Sequence, residues 1–143
     1  MEALAAIGLA SAIVQFVDFS SRLIAGAKEA YTSASGMTAA SEDSDVLINN
    51  LKDLTGRLKV RTTGNVLSAE DERLIALKRG CEKLSCELQE VLQKTRARKK
   101  GSKLSSIKAS LKAQSQREKL ASLEKRLDSY RSEILGQILG MMR

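Results

Sequence analysis

Cys81 and Cys86 are the only thiols of the chain, and three acids stand together at Glu70, Asp71 and Glu72. Nucleophilic, metal or acid–base chemistry would have to begin with these residues. Five positions apart in a helix-like stretch, the cysteines project from different faces and are poorly placed to bridge within the helix. The sequence has no His, no CxxC and no second cysteine cluster, so a four-ligand zinc site cannot be assembled. Reduced thiols packed as small hydrophobes are expected. The three acids follow Ser68, where the positive end of a helix dipole favours negative charge, and they read as helix-start residues rather than as an acid–base pair. No GxGxxG, no GxxxxGK[ST] and no nucleophile elbow occurs. The expectation is a protein without catalytic activity, cofactor or metal.

The remaining chemistry is cationic. The chain carries 24 Lys and Arg against 17 Asp and Glu, a net charge of +7, and the excess is local. Between Glu90 and Glu118 there is no acid, whereas Lys94, Arg96, Arg98, Lys99, Lys100, Lys103, Lys108, Lys112 and Arg117 are basic. Such a cluster can meet nucleic acid phosphates, anionic lipid head groups or water alone. Nucleic acid is disfavoured as a partner: no aromatic residue interleaves with the cations to stack on bases, and no zinc, helix-turn-helix or RNA-recognition motif accompanies them. For lipid, each Lys or Arg close to an anionic leaflet contributes about 1 kcal/mol. A solvated basic loop and a lipid-binding segment both remain open readings.

The elements that would position these groups are helical. A chain of 143 residues with no Pro and 3% aromatics fits one domain of residues 1–143 and favours helix over strand. A first helix is expected from about Glu2 to Tyr31. It is apolar on nearly all faces as far as Phe19, the mark of a central helix covered by neighbours. Turn formers at 32–36 reverse the chain. A second helix starts near Ser41, with Leu47, Leu51, Leu54 and Leu58 as its stripe. After a loop at 61–65, Ser68 to Asp71 forms a capping box. The third helix then carries Leu74, Leu77, Cys81, Leu84, Leu88 and Val91 at alternating three- and four-residue spacing. Beyond Gly101, Leu104, Ile107 and Leu111 suggest a short helix. A second capping box at Ser115 to Glu118 then opens the last helix, with the stripe Leu120, Leu123, Leu127, Tyr130 and Ile134. The fold class expected is all-α, an antiparallel up-down four-helix bundle with one additional short helix before the last helix.

The leading segment Ala3 to Val17 is uncharged and superficially like a secretory signal. Glu2, however, stands where a signal carries basic residues, and no A-x-A cleavage site precedes a mature-looking start. At 1.5 Å per residue the run covers about 22 Å, against a hydrocarbon core of about 30 Å, so a constitutive membrane span is not expected. Gly8 and Ala12 offer a small-xxx-small face for close helix contact. Asp18 would cost about 2.5–3.5 kcal/mol at a bilayer centre, which places it at the boundary of any inserted helix.

Leu4 to Tyr31 (LAAIGLASAIVQFVDFSSRLIAGAKEAY), with TSASG at Thr32 to Gly36, resembles the N-terminal domain of fungal NLR-type (STAND) immune receptors. LEKRLDSYRSEI (Leu123 to Ile134) is similar to the last bundle helix of that domain. This HeLo-like family is related to the HeLo cell-death domains. More distantly, it is related to the four-helix executioner domains of necroptosis pseudokinases and coiled-coil plant resistance proteins. The resemblance implies a cytoplasmic effector of heterokaryon-incompatibility or innate-immune type. Homo-oligomerisation, driven by an NLR/STAND module in cis or in trans, would release the first helix into the plasma membrane. It assigns Leu4, Ile7, Leu9, Ile13, Val14, Phe16, Val17 and Phe19 to the membrane-inserting helix. In that setting Lys94, Arg96, Arg98, Lys99, Lys100 and Lys103 would meet anionic membrane lipids. The chain departs from the family pattern in lacking Trp, expected in the helix before the last, where Ser106 to Gln116 stands. The alternative from a different class is a signalling adaptor whose bundle surface recruits a partner domain without a membrane step.

Overall fold

The computed structural model describes residues 3–32, 44–59, 68–99 and 106–142, with side chains at 4–29, 45–59, 68–94 and 114–142. They form four helices, α1 (Ala3–Thr32), α2 (Ser44–Gly56), α3 (Ala69–Lys99) and α4 (Ser106–Met141), and no strand occurs among them. The start of α2 expected at Ser41, the loops at 32–36 and 61–65, and Gly101 lie largely or wholly outside the described residues.

The start of α3 follows its sequence signal closely. Ser68 Oγ accepts a hydrogen bond from the Asp71 backbone N–H at 3.1 Å, and the Asp71 carboxylate accepts one from the Ser68 N–H at 3.4 Å. This reciprocal capping box satisfies two helix-start donors. All six residues of the α3 stripe, Leu74 to Val91, are buried. At the end of α2 the chain tightens, with Leu58 N–H donating to Thr55 O at 3.1 Å and Lys59 N–H to Gly56 O at 3.2 Å. That turn swings Leu58 back into the core, fully buried although it lies past the last helical residue. Within the α2 stripe, Leu51 is buried and Leu54 only half-buried, while Ile48 takes an inward position the stripe did not include.

The short separate helix and the second capping box are not seen: α4 runs unbroken for 36 residues from Ser106. No Gly or Pro stands between Ser106 and Glu118, and the Ala, Leu, Lys and Gln there are good helix formers. A Ser caps only where the backbone before it leaves helical dihedrals. Here the helix passes through Ser115, and Gln114 Nε2 donates instead to Glu118 Oε1 one turn on at 3.5 Å.

Packing is centred on two helices. α1 and α3 each touch all the others, while α2 and α4 do not touch among the described residues. Phe16, Ile13 and Ile24 of α1 meet Leu74, Leu84 and Leu88 of α3 and Leu120, Leu127 and Ile134 of α4 in one buried cluster. The α4 contacts run in reverse order along α1: Lys28 Nζ donates to Glu124 Oε2 at 3.3 Å, Arg131 Nη2 donates to Ser21 Oγ at 2.9 Å, and Ile7 and Val14 share a groove with Ile138 and Met142. Along α3, Glu87 pairs with Arg126, Gly80 abuts Tyr130, and Glu70 lies beside Gly140. α4 therefore runs against both α1 and α3. A polar link ties α2 in place: the Thr55 and Ser85 hydroxyls are 2.7 Å apart, and Gln89 Nε2 donates to Ser85 Oγ at 2.9 Å. Ser85 is fully buried, so this link satisfies a hydroxyl that would otherwise be costly to bury.

The first helix is not covered all round. Leu9, Ile13, Phe16 and Val17 are buried, but Leu4 is 81% exposed, Ile7 56% and Val14 37%. α1 has three helical neighbours among the described residues, and the strip bearing Ile7 and Val14 is left along an open groove beside the end of α4 rather than packed against it.

Candidate functional site

The antiparallel course of α4 brings three helix termini to one end of the molecule: the start of α1, the start of α3 and the end of α4. Exposed large hydrophobic residues collect there. Leu4, Ile7 and Val14 come from α1, and Leu135, Leu139 (63% exposed) and Met142 (78%) from the last turns of α4 or just beyond. Ile7, Ala10, Ser11 and Val14 form one wall of a groove of about 420 Å³ whose other wall is Ile138, Met141 and Met142. On the far side of α4 a second cleft of about 650 Å³ opens toward α3, between Glu70, Arg73, Leu77 and Gly80 on one wall and Glu133, Gly136, Gln137 and Gly140 on the other. The exposed fractions of Leu4, Ile7, Val14, Leu135, Leu139, Met141 and Met142 together amount to roughly four whole side chains. At about 1.5–3 kcal/mol per side chain, the isolated chain forgoes a burial of order 6–12 kcal/mol.

Of the residues assigned to a membrane-inserting helix, Leu4, Ile7 and Val14 are therefore open, Phe19 is half-buried, and Leu9, Ile13, Phe16 and Val17 sit inside the core. The α4 residues Leu135, Leu139, Met141 and Met142 were not singled out by the α4 stripe, which stops at Ile134. Their signal is the segment Ile134 to Met142 (ILGQILGMM), in which large apolar residues widen to nearly half the helix circumference and glycines stand four apart at Gly136 and Gly140. A Cβ built on Gly8, Gly136 or Gly140 meets nothing within 4 Å, so no close packing inside the chain requires these glycines. Gly in a helix interior costs about 1 kcal/mol relative to Ala. The expected small face of Gly8 and Ala12 is split: Gly8 is exposed, and Ala12 packs against the core.

The cationic segment lies at the opposite end. α3 is 31 residues long, about 45 Å of helix, with Glu70, Asp71 and Glu72 in its first turn and Arg96, Arg98 and Lys99 in its last. Lys94 is exposed and pairs with Glu90 at 3.6 Å. The side chains of Arg96, Arg98 and Lys99, and the whole of Lys100 and Lys103, lie outside the described residues. The apolar end thus carries acids, and the described acid-free residues 91–99 and 106–117, which end α3 and begin α4, lie toward the other pole.

α1 itself is long and apolar enough to cross a membrane. Its segment Leu4–Glu29 runs 26 residues and contains an 18-residue window of mean hydropathy 1.6; the segment is about 39 Å of helix. The expectation of a run too short to span held only for the uncharged part. The helix continues through Asp18 and Arg22, which pair one turn apart at 3.1 Å. The core helix of a soluble protein meets the same criterion, and 39% of that window is buried. Its polar ties to α4, at Ser21 and Lys28, both lie in its second half. Up to Val17, no side-chain hydrogen bond or ion pair holds it among the described residues.

The thiols differ sharply. Cys86 is exposed, whereas Cys81 is fully buried, and desolvation, reinforced by the nearby carboxylates of Glu82 and Glu133, pushes its pKa up to about 12. A thiol so strongly held protonated is inert as a nucleophile. No group of three metal-ligating side chains occurs among the described residues.

Comparison with protein-family models, curated proteins and solved structures returns no match to this chain.

Proposed function

We propose that the chain is a membrane-permeabilising cell-death effector domain of the HeLo-like kind that its first and last helices resemble. It rests in the cytoplasm as an antiparallel up-down bundle, with α1 and α3 running one way and α2 and α4 the other. Homo-oligomerisation, prompted by an NLR/STAND receptor module, frees α1 to enter the plasma membrane, and the cationic stretch from Lys94 to Lys103 meets anionic lipid. The observation that carries this reading is α1: a helix of membrane-spanning length whose first half is retained by apolar packing alone among the described residues. Ile13, Phe16 and Val17 would exchange one apolar environment for another on entering lipid, because acyl chains are as apolar as the core they leave. No ion pair is lost up to Val17, and Asp18 and Arg22 can travel as a neutralised pair.

Dye release from vesicles tests the proposal. Vesicles containing phosphatidylserine should leak on addition of the domain clustered through a fused oligomerisation tag. Neutral vesicles should leak less, and deletion of Glu2 to Phe16 should abolish release. Ile7→Glu with Val14→Glu, both at exposed positions and so compatible with folding, should reduce leakage at least tenfold. Intact vesicles at every degree of clustering would reject the membrane reading. The second reading, an adaptor that recruits a partner domain, is favoured by the exposed apolar end. It predicts that charge reversal at Arg98, Lys99 and Lys100 leaves signalling intact.

A further inference from the structure

We infer that two copies of this chain pair at rest through the apolar end formed by α1 and α4. The pairing is independent of any membrane step. Its first support is size. The exposed part of Leu4, Ile7, Leu139 and Met142 alone exceeds two and a half full residues of apolar surface. A monomer rarely keeps a contiguous apolar patch beyond a few hundred Å² open to water, and a stable interface needs about 800 Å² from each partner. The second support is shape. The patch holds both a ridge, Leu135 and Leu139 on the outer face of α4, and a groove of about 420 Å³ between α4 and α1. A two-fold pair requires one surface to carry both the knob and the hole that receives it.

The third support is the pair Gly136 and Gly140, which line the cleft toward α3 beside the Leu135 and Leu139 ridge and are open to space. They let a neighbouring backbone approach closely, and the chain itself makes no use of that freedom. Charge argues for a second copy over an anionic lipid surface. Along the cleft on the other flank of α4 stand Glu70, Arg73 and Glu133, a rim of both signs that can complement itself across a two-fold axis. The first turn of α3 adds Asp71 and Glu72, which an anionic leaflet would repel. The last turn of α3, which bears Arg96, Arg98 and Lys99, lies about 45 Å of helix away.

Sedimentation velocity on the full chain from about 1 to 200 µM tests the pairing, in a range where standard-size interfaces commonly associate. The mass should rise with concentration from 15.5 kDa toward about 31 kDa, twice the chain. Leu139→Lys and Leu4→Lys, at exposed positions that leave folding intact by circular dichroism, should each weaken association at least tenfold. Gly136→Ala with Gly140→Ala should weaken association while raising the melting temperature of the dilute monomer, an opposite pair of effects that general damage would not produce. A wild-type chain that stays at 15.5 kDa throughout overturns the inference. So does a dimer indifferent to both lysine variants, or a monomer that binds phosphatidylserine vesicles through Leu4 and Leu139, which would make lipid the occupant.

Discussion

α4 is one unbroken helix with two characters. From Leu120 to Arg131 it is tied down twice over: Leu120, Leu123 and Leu127 are buried, Glu124 and Arg126 pair with Lys28 and Glu87, and Arg131 reaches Ser21. From Ser132 to Met142 no side-chain ion pair or hydrogen bond holds it among the described residues, clefts open on both flanks, and leucines and methionines face water. The first half spends its side chains on this bundle. The second buries Ile134 and half-buries Ile138 but turns Leu135, Leu139, Met141 and Met142 to water, so what separates the halves is which faces the neighbouring helices cover rather than hydrophobicity. Residue burial, not residue type, is then what substitutions should report.

The largest contrast is expected from paired truncations measured by urea unfolding of dilute protein. Leu127→Ala should cost about 2–5 kcal/mol, as the loss of a buried side chain plus the cavity it leaves. Leu139→Ala should stay within about 0.5 kcal/mol. Equal costs would erase the distinction between the halves.

Cys81, buried on α3 beside the point where α4 changes character, sharpens it next. Its folded pKa lies near 12 against 9.0 for a free thiol. Below pH 9 both states keep the proton; from pH 9 to 12 the unfolded chain releases it and the folded chain does not, so stability falls across that window. Cys81→Ala should flatten that part of the pH profile. Iodoacetamide at pH 8 should label Cys86 alone until denaturant is added, as mass spectrometry would read. Double labelling of the native protein would show the junction to be open.

Glycines should split by sign. A Cβ on Gly80 would lie 2.6 Å from Tyr130 Oη, so Gly80→Ala should displace the ring and destabilise by about 1–3 kcal/mol. Gly136→Ala, in open space, should stabilise the monomer by about 0.4–1 kcal/mol. Smallest is Ser20, whose buried Oγ has no hydrogen-bond partner among the described residues. Ser20→Ala removes that unmet hydroxyl and should raise stability by up to about 1 kcal/mol.

Much of this architecture could be read from the residues. The α3 stripe and its cap were legible because both signals are local: a regular three-four spacing and a Ser whose partner lies three positions on. The α4 cap misled for the same reason. Ser115 to Glu118 has the letters of a capping box, but the letters do not say whether the preceding backbone is helical, and nothing before Ser115 breaks the helix. Coverage of α1 was misjudged because periodicity gives the apolar faces and not the number of neighbours. Leu4 and Leu9 look alike in sequence, yet only Leu9 has a helix beside it. The open end of α4 was missed because its apolar stripe was followed only as far as Ile134, where the pattern widens beyond a single stripe to take in Leu135, Leu139 and Met142.

The separation of charge along α3 fixes how the molecule would stand on a solid support. Adsorbed to a sulfonate bead, it would bind by the pole where α3 ends and α4 begins, each without an acid there. Leu4, Leu139 and Met142 would then point into the flowing liquid. Such a column would display one face of the protein uniformly to whatever is passed over it, without tag or chemical coupling.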